Sequence, residues 1–388
     1  MIENKCIAVL GATGSVGAQS LDVARKRGYR VDFISANRDV DKLESFAREF
    51  SPSYVGMADE YAARDLKNRL ADTKTTVLSG GEGILFGIDK CRADSVINAI
   101  TGAAGLKPTL AVIDKGARLC LANKESLVMA GGLVMARKAE LGASIIPVDS
   151  EHSAIFQSLR SGGTLKKIIL TASGGPFRKK TPEELMRVSV SDTLMHPTWN
   201  MGQRITVDSA TLMNKGFEVI EAAHLFGVSG EKIEVVVHPE SILHSAVEYV
   251  DNAVIGQLSV PDMRLCIQYA VDYPERVSEA VAPLDFTKVG SLTFEAPNTE
   301  AFPLLSLAYR ALDGGDAMGA VLNAADEVAV SAFLSGNIGF VGIFDLVYKT
   351  YERMSGSVAT DIEDILAIDN EARKIAKSLI DSEIRRKN

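Results

Sequence analysis

The chain has 388 residues, with 42 lysines and arginines against 50 aspartates and glutamates and a formal net charge of −8. At ~150 residues per domain the length allows two or three domains, and the 46% hydrophobic, 24% charged composition is that of an ordinary globular protein. The acidic balance argues against a sequence-independent nucleic-acid binder, whose affinity rests on surplus basic residues, but leaves room for a local basic pocket.

Taken in chain order, residues 6–10, 31–36, 95–100, 118–122 and 144–148 read as short strands, apolar on both faces as buried parallel strands are. Amphipathic helices are predicted between them at 15–27, 41–50 and 124–140, with Gly28 and Gly142 as stops. This alternation predicts a doubly wound α/β domain over residues 1–148. From 149 to 282 the chain reads as a separate α+β domain, with strands at 167–171, 234–237 and 254–258 among long polar loops. Residues 283–302, with Pro283 and Pro297, read as a linker. Residues 303–388 are predicted helical, at 304–312, 318–334, 338–354 and 362–386.

The first residues lack the pattern of a secretory signal, and uncharged stretches such as 95–106 and 126–136 fall short of ~20 apolar residues. Cys6, Cys91, Cys120 and Cys266 form no C-x-x-C pair, and Cys6 and Cys120 lie in apolar runs. The expected home is a reducing cytoplasm. A bacterial source is favoured, a mature plastid protein being the alternative.

The first strand ends in Gly11-Ala12-Thr13-Gly14-Ser15-Val16-Gly17 and a helix follows. Glycines there permit a tight turn and close approach of backbone to a pyrophosphate, which the helix N-terminus favours. An ordinary glycine-rich βα turn has the same look. At the tip of the second strand stands Ser35-Ala36-Asn37-Arg38, with no acidic residue to hydrogen-bond a ribose hydroxyl. Arg38 suits a 2′-phosphate, so NADP is expected over NAD. Asp39 and Asp41 belong to the cap of the next helix.

The densest polar cluster, Asp149-Ser150-Glu151-His152-Ser153, follows the last predicted parallel strand. If extended, Asp149 and Glu151 point the same way. A third carboxylate comes from Glu218 or Glu221, one helical turn apart, with Lys215 on the face of Glu218. Three carboxylates suit a hard cation such as Mg²⁺ or Mn²⁺, although helix caps and surface ion pairs produce the same pattern. Lys124-Glu125 fits a helix start. All five histidines (His152, His196, His224, His238 and His244) fall between 152 and 244 without a zinc spacing, and His224 reads as a core or surface histidine. Trp199, between Pro197 and Gly202, reads either as a lid residue or as a loop anchored in the core. Ser173-Gly174-Gly175, Ser209, Asn214 and Lys215 offer hydroxyls, amides and one charge to an anion. A semialdehyde dehydrogenase shares such a glycine loop but needs a nucleophilic cysteine, for which Cys120 and Cys266 are poorly placed. A non-catalytic NADP sensor leaves the carboxylates and Trp199 without a purpose.

Together the blocks at 11–17, 121–126, 148–157, 170–177, 196–202, 210–221, 238–247, 261–264 and 322–328 resemble the 1-deoxy-D-xylulose 5-phosphate reductoisomerase family of the non-mevalonate isoprenoid pathway, over nearly the whole chain. The resemblance implies a homodimer with an N-terminal Rossmann-like NADPH domain, a central α+β catalytic domain and a C-terminal helical domain. Its activity is the NADPH- and divalent-metal-dependent rearrangement and reduction of 1-deoxy-D-xylulose 5-phosphate to 2-C-methyl-D-erythritol 4-phosphate, by a retro-aldol/aldol sequence or an α-ketol shift. The family positions place the metal on Asp149, Glu151 and Glu218, with Lys124 as the further catalytic residue. They place the substrate on Lys124, Ser150, Glu151, Trp199 and Glu218, and its phosphate on Ser173, Ser209, Asn214 and Lys215, with His196 near. NADPH falls to Thr13, Gly14, Ser15, Val16, Ala36, Asn37, Arg38, Asn123, Glu125, Gly202 and Met263. The expected partner is a small phosphorylated sugar, not a nucleic acid or a membrane.

Overall fold

The structure, a computed structural model, describes residues 5–195, 198–199, 201–278 and 281–387. The expected phosphate neighbour His196 lies outside the described residues. Contact density divides the chain into two compact units. The first comprises the chain to Asn123, Ala136–Ser153 and Asp262–Pro283; the second comprises Lys124–Met135, Ala154–Pro261 and the chain from Leu284 onward.

The first unit is built on seven parallel strands: β1 (Cys6–Leu10), β2 (Arg30–Ala36), β3 (Tyr54–Met57), β4 (Thr76–Ser79), β5 (Ser95–Asn98), β6 (Arg118–Leu121) and β7 (Ile145–Pro147). Their spatial order is β4-β3-β2-β1-β5-β6-β7. Every residue of β1 is buried, which is why its sequence is a continuous apolar run rather than an alternating one. Parallel neighbours require crossovers, supplied by helices such as Ser15–Arg27 and Val40–Phe50. The chain builds β2 to β4 on one side of β1 and returns to the other side with β5. The order therefore reverses at β1, where Leu10 pairs with Ser35 on one flank and Asn98 on the other. A crevice at such a reversal, beyond the carboxyl ends of the strands, is where open α/β sheets bind ligands. The five predicted strands are all present. β3 and β4 escaped the pattern because each has four residues and the edge strand β4 is half-exposed.

The second unit holds β8 (Leu165–Ala172), β9 (Ile233–Val237), β10 (Leu243–Tyr249) and β11 (Val254–Leu258), in the order β11-β10-β8-β9. β8 and β9 are parallel, and β10 runs antiparallel to β8 and β11. β10 was not predicted: His244 and Ser245 interrupt its apolar pattern, yet both are buried, and the Ser245 hydroxyl accepts the Thr171 amide at 3.1 Å. The segment read as a linker contains a short helix, Phe286–Val289, and Glu295 bridges to Val237 through amide bonds of 2.8 and 2.9 Å.

The C-terminal prediction matches helices Leu304–Asp313, Gly315–Leu334, Phe340–Arg353 and Ile362–Lys387. Gly315–Leu334 is long and apolar enough to cross a membrane by length and composition, but 83% of its most apolar window is buried inside the protein. An aromatic group packs beside it: the Phe340 ring meets Phe177, Phe333 and Phe344 edge-to-face at 5.3, 5.9 and 5.5 Å.

Two local expectations are corrected. Residues 149–151 are not extended: Ser150–Ser158 is helical, and the Asp149 backbone carbonyl accepts the Ser153 amide at 2.8 Å at its start. The helix expected over 124–140 spans Glu125–Leu141 but is interrupted at Ala130 (φ −150°, ψ 34°). After the break, the Asp316 carboxylate accepts the Gly132 and Leu133 amides at 2.9 and 3.1 Å, capping the restart from another helix.

Candidate active site

In the first unit the glycine loop follows β1 as expected. Gly11 has φ +78°, and a Cβ there would lie 2.5 Å from the Ala99 carbonyl oxygen; a Cβ on Gly17 would lie 2.2 Å from the Gly11 oxygen. Only glycine lets the loop turn this tightly against the end of β5 and the following helix. Gly14 occupies the N-cap of Ser15–Arg27 without a side chain, so the first-turn amides have no cap from that residue. This cradle fits a dinucleotide pyrophosphate. Ala36 ends β2, Asn37 follows it with its carbonyl accepting the Asp59 amide at 2.9 Å, and Arg38 is exposed. As read from sequence, Asp39 caps the next helix, accepting the Lys42 amide at 3.2 Å. Asn123 is buried, and its side-chain amide donates to the Ile100 and Gly102 carbonyls at 2.7 and 3.0 Å, holding the loop after β5. Sequence reasoning missed Lys42, whose ammonium donates to the Thr13 carbonyl at 2.7 Å and braces the glycine loop from the next helix.

In the second unit, Met213–Phe226 carries the predicted anion and carboxylate residues. Its N-cap Leu212 has φ 60°, a left-handed conformation costing a non-glycine residue roughly 1–2 kcal/mol. This strained start places Asn214, Lys215 and Glu218 together. The buried Lys215 ammonium bonds both Glu218 and the Thr171 carbonyl at the end of β8. Lys124, ninety residues earlier in the chain, also donates to Asn214 and sits 3.3 Å from Glu218. Asn214 in turn donates to Glu218 at 2.6 Å. One carboxylate is thus shared by two ammonium groups, an excess of positive charge suited to an anionic ligand. The Ser173-Gly174-Gly175 turn reaches the same region: Gly175 has φ +66°, and a Cβ there would lie 2.7 Å from the Ser209 carbonyl oxygen. That contact seats the Ser173 hydroxyl turn against the end of Gln203–Ala210, where Ser209 stands.

Trp199 packs edge-on to His244 with ring centroids 6.4 Å apart. His238 is structural: its Nδ1 faces the Thr293 carbonyl at 2.9 Å, and Nε2 accepts the Ile242 and Leu243 amides at 3.1 Å. Among the two-sided groups this pattern fits the neutral ring protonated on Nδ1. His224 is partly buried 3.8 Å from Asp316, and burial holds its pKa below the ordinary imidazole value.

The candidate metal donors read from the sequence are carboxylates. Asp149 and Glu151 stand at the start of Ser150–Ser158, where the Ser150 hydroxyl donates to Glu151, and Glu218 projects from Met213–Phe226. An oxygen-only set of this kind fits Mg²⁺ or Mn²⁺. Gly202 is the N-cap of Gln203–Ala210, and Met263 opens the helix Met263–Asp272. The four cysteines are buried free thiols, and burial pushes Cys120 and Cys266 up to about 12. Buried thiols held above the ordinary cysteine value make poor nucleophiles, which disfavours the semialdehyde dehydrogenase alternative.

Residues 7–131 match the model of 1-deoxy-D-xylulose 5-phosphate reductoisomerase, residues 145–226 that of the enzyme's C-terminal domain, and residues 258–375 a further DXP reductoisomerase C-terminal domain model. The reductoisomerase of Acetivibrio thermocellus is 50% identical over 376 residues, covering 96% of this chain and 99% of that protein. The Chlorobaculum tepidum enzyme is 49% identical over 380 residues, covering 97% and 100%. The solved reductoisomerase of Zymomonas mobilis in complex with NADPH superimposes with a TM-score of 0.90 at 42% identity, covering 98% of this chain and all of that one. A reductoisomerase solved with NADPH, fosmidomycin and magnesium gives 0.91 at 40% identity, covering 97% and 98%. With matches this extensive across both sequence and fold, the chain belongs to the 1-deoxy-D-xylulose 5-phosphate reductoisomerase family.

Proposed function

We propose that this chain carries out its family's NADPH- and divalent-metal-dependent conversion of 1-deoxy-D-xylulose 5-phosphate to 2-C-methyl-D-erythritol 4-phosphate through the residues described above. The observation that carries the assignment of roles is the Lys124–Asn214–Lys215–Glu218 constellation beside the Ser173 turn. Lys215, Asn214, Ser173 and Ser209 hold the substrate phosphate, with His196 as a further contact. Asp149, Glu151 and Glu218 are the cation's ligands. When bound, the cation supplies Lewis-acid polarisation of the substrate's ketone and neighbouring hydroxyl, and NADPH supplies the hydride.

The remaining work belongs to the chain's own side chains. Lys124 donates a proton or hydrogen bond to the substrate oxygen it faces, and the Ser150 hydroxyl orients a substrate hydroxyl. Trp199 closes over the bound substrate and excludes water, using binding energy drawn from the phosphate contacts. Glu151 and Glu218 contact substrate as well as cation. On the cofactor side, Thr13, Gly14, Ser15 and Val16 receive the pyrophosphate and Arg38 the 2′-phosphate. Ala36, Asn37, Asn123, Glu125, Gly202 and Met263 complete the contact set.

The functional segments follow the sequence division: cofactor binding in 1–148, metal and substrate binding in 149–282, a connection at 283–302 and the helical region from 303. The protein acts in the cytoplasm as a homodimer. The edge strand β11, with Val254 and Ile255 exposed, supports a second copy as its partner. The −8 charge argues against nucleic acid as a partner, and the buried Lys124 and Lys215 supply the local positive charge that a small anionic substrate needs.

The deciding experiment is Glu218→Gln, which keeps shape and removes a charged ligand. Turnover with Mg²⁺ is expected to fall at least about a hundredfold, consistent with several kcal/mol of metal-linked stabilisation, while the NADPH dissociation constant stays unchanged. Turnover retained at the parent rate overturns the ligand assignment.

A further inference from the structure

Arg204, on the first turn of Gln203–Ala210, sits within the second unit among carboxyl groups from three helices. Its guanidinium lies 2.9 Å from Glu327, 3.4 Å from Glu125, 3.7 Å from Asp208 and 3.9 Å from Asp326. It also approaches the Asn323 side-chain oxygen at 3.3 Å. Asn323 donates to Glu327 at 3.2 Å, and the other Glu327 oxygen pairs with Arg373 at 2.9 Å. Arg373 is itself held by both oxygens of Asp369, at 2.7 and 2.8 Å. A line of alternating charges therefore runs from Glu125, at the start of its helix, through Arg204 and Glu327 to the C-terminal helix.

The members of the cluster are not equivalent. Burial drives Asp208 up to about 6 and Asp326 well above the ordinary carboxyl value, each raised further by neighbouring carboxylates. Glu327 and Glu125 make the closest ionic approaches to the guanidinium. A planar guanidinium presents several donors in a rigid fork, so it can hold Glu125 and Glu327 at once where an ammonium cannot reproduce the geometry. Glu125 is nearly buried, 10% exposed at its side chain. Arg204 also stands two residues beyond Gly202, whose backbone starts the helix.

We propose that Arg204 is a positioning residue for cofactor binding: braced by Glu327 and Asn323, it holds the Glu125 carboxylate and the Gly202 helix start in the arrangement that NADPH meets. The inference rests on the reading of Glu125 and Gly202 as cofactor contacts, and the experiment separates the two.

Full-length Arg204→Lys, Glu125→Gln, Glu327→Gln and the Arg204→Lys/Glu125→Gln double variant are titrated with NADPH by nicotinamide fluorescence, without substrate, and their melting temperatures are recorded. Arg204→Lys is expected to weaken NADPH about tenfold, the order lost when a group that orients a ligand is removed. In the same variant the KM for 1-deoxy-D-xylulose 5-phosphate and kcat at saturating NADPH stay within about twofold, a split that general destabilisation would not give. The double variant is expected to bind no worse than the weaker single one, because both act through one contact. Parent-like affinity in Arg204→Lys, alongside weakened Glu125→Gln, overturns the positioning role and leaves Glu125 as a contact. Independent, multiplicative losses in the double variant also overturn it. Parent-like affinity in Glu125→Gln instead removes the underlying reading, and the inference with it. Glu327→Gln leaves both Arg204 and Glu125 in place, so it decides the matter if Arg204→Lys fails to fold: an intermediate weakening is expected, and none overturns the proposal.

Discussion

At the scale of single residues, the site works by sharing charge. Lys124 and Lys215 converge on one carboxylate, Glu218, and both ammonium groups are almost fully buried. A buried ammonium needs a charged partner, and Glu218 is one that this fold supplies to both lysines. Under the proposed assignment, a cation held by Glu218 would compete with those lysines and free them for the substrate's oxygens and phosphate. The Lys215–Glu218 relation was legible as an i, i+3 pair on a helix, whereas Lys124 lies 94 residues from Glu218 and no local spacing marks the contact. Arg38 carries the corresponding argument in the first unit, exposed at the tip of β2 with the glycine loop opposite. Arg38→Ala is expected to weaken NADPH about tenfold or more, the loss of a charge-assisted bond, while NADH affinity is little changed. Equal losses for both cofactors, measured by fluorescence titration, would sink its assignment to the 2′-phosphate.

Elements are shaped as much by distant caps and buried protons as by their own propensities. The stretch 124–140 reads as one helix in sequence, yet it breaks at Ala130, just before Gly131-Gly132, and restarts under Asp316 from Gly315–Leu334. The close approach is explicit at Gly319, where a Cβ would lie 1.9 Å from the Val128 carbonyl oxygen. The glycine pair weakens the helix locally, but only the packed neighbour decides that it breaks there. The same long helix buries Asp326, whose pKa is raised by desolvation first and by the Asp208 charge next. A raised carboxyl binds a proton in the folded state that the unfolded chain has already released. Stability therefore falls as pH climbs from the ordinary carboxyl value near 3.8 through the Asp208 value of about 6, and stays lower above it. Asp326→Asn keeps a hydrogen-bond donor toward Asp208 without an ionisable group. In urea melts it should be more stable than the parent by about 1–2 kcal/mol near pH 8, and equal to it near pH 4. A pH-independent difference would show that Asp326 does not carry the raised proton.

For the whole molecule, the ledger of exposed edges and buried helices decides what the surface can do. Gly315–Leu334 has the composition of a membrane span, but it is the central helix of the second unit's core, surrounded by partners from Gln203–Ala210, Phe340–Arg353 and Ile362–Lys387. β11 is the opposite case, an edge with exposed Val254 and Ile255 and a row of backbone groups facing outward. Ile255→Lys places a charge on that edge. It is expected to shift the proposed dimer toward monomer in sedimentation velocity without changing the melting temperature of the monomeric fold by more than a few degrees. An unchanged dimer would move the interface elsewhere. Most of the architecture was readable from the chain alone: the parallel strands as buried apolar runs, the glycine loop after β1, and the C-terminal helices from their periodicity. These are local patterns, and burial on both faces or along one face writes itself directly into residue order. Only the tertiary structure decided that residues 149–151 begin a helix, that β10 lies at the centre of its sheet, and that Lys124 meets Asn214 and Glu218. The Arg204 cluster likewise draws Glu125, Asp208, Asp326 and Glu327 from separate parts of the chain. Such contacts join residues far apart in sequence, and what holds them is the desolvation of charges that must find partners wherever packing brings them together.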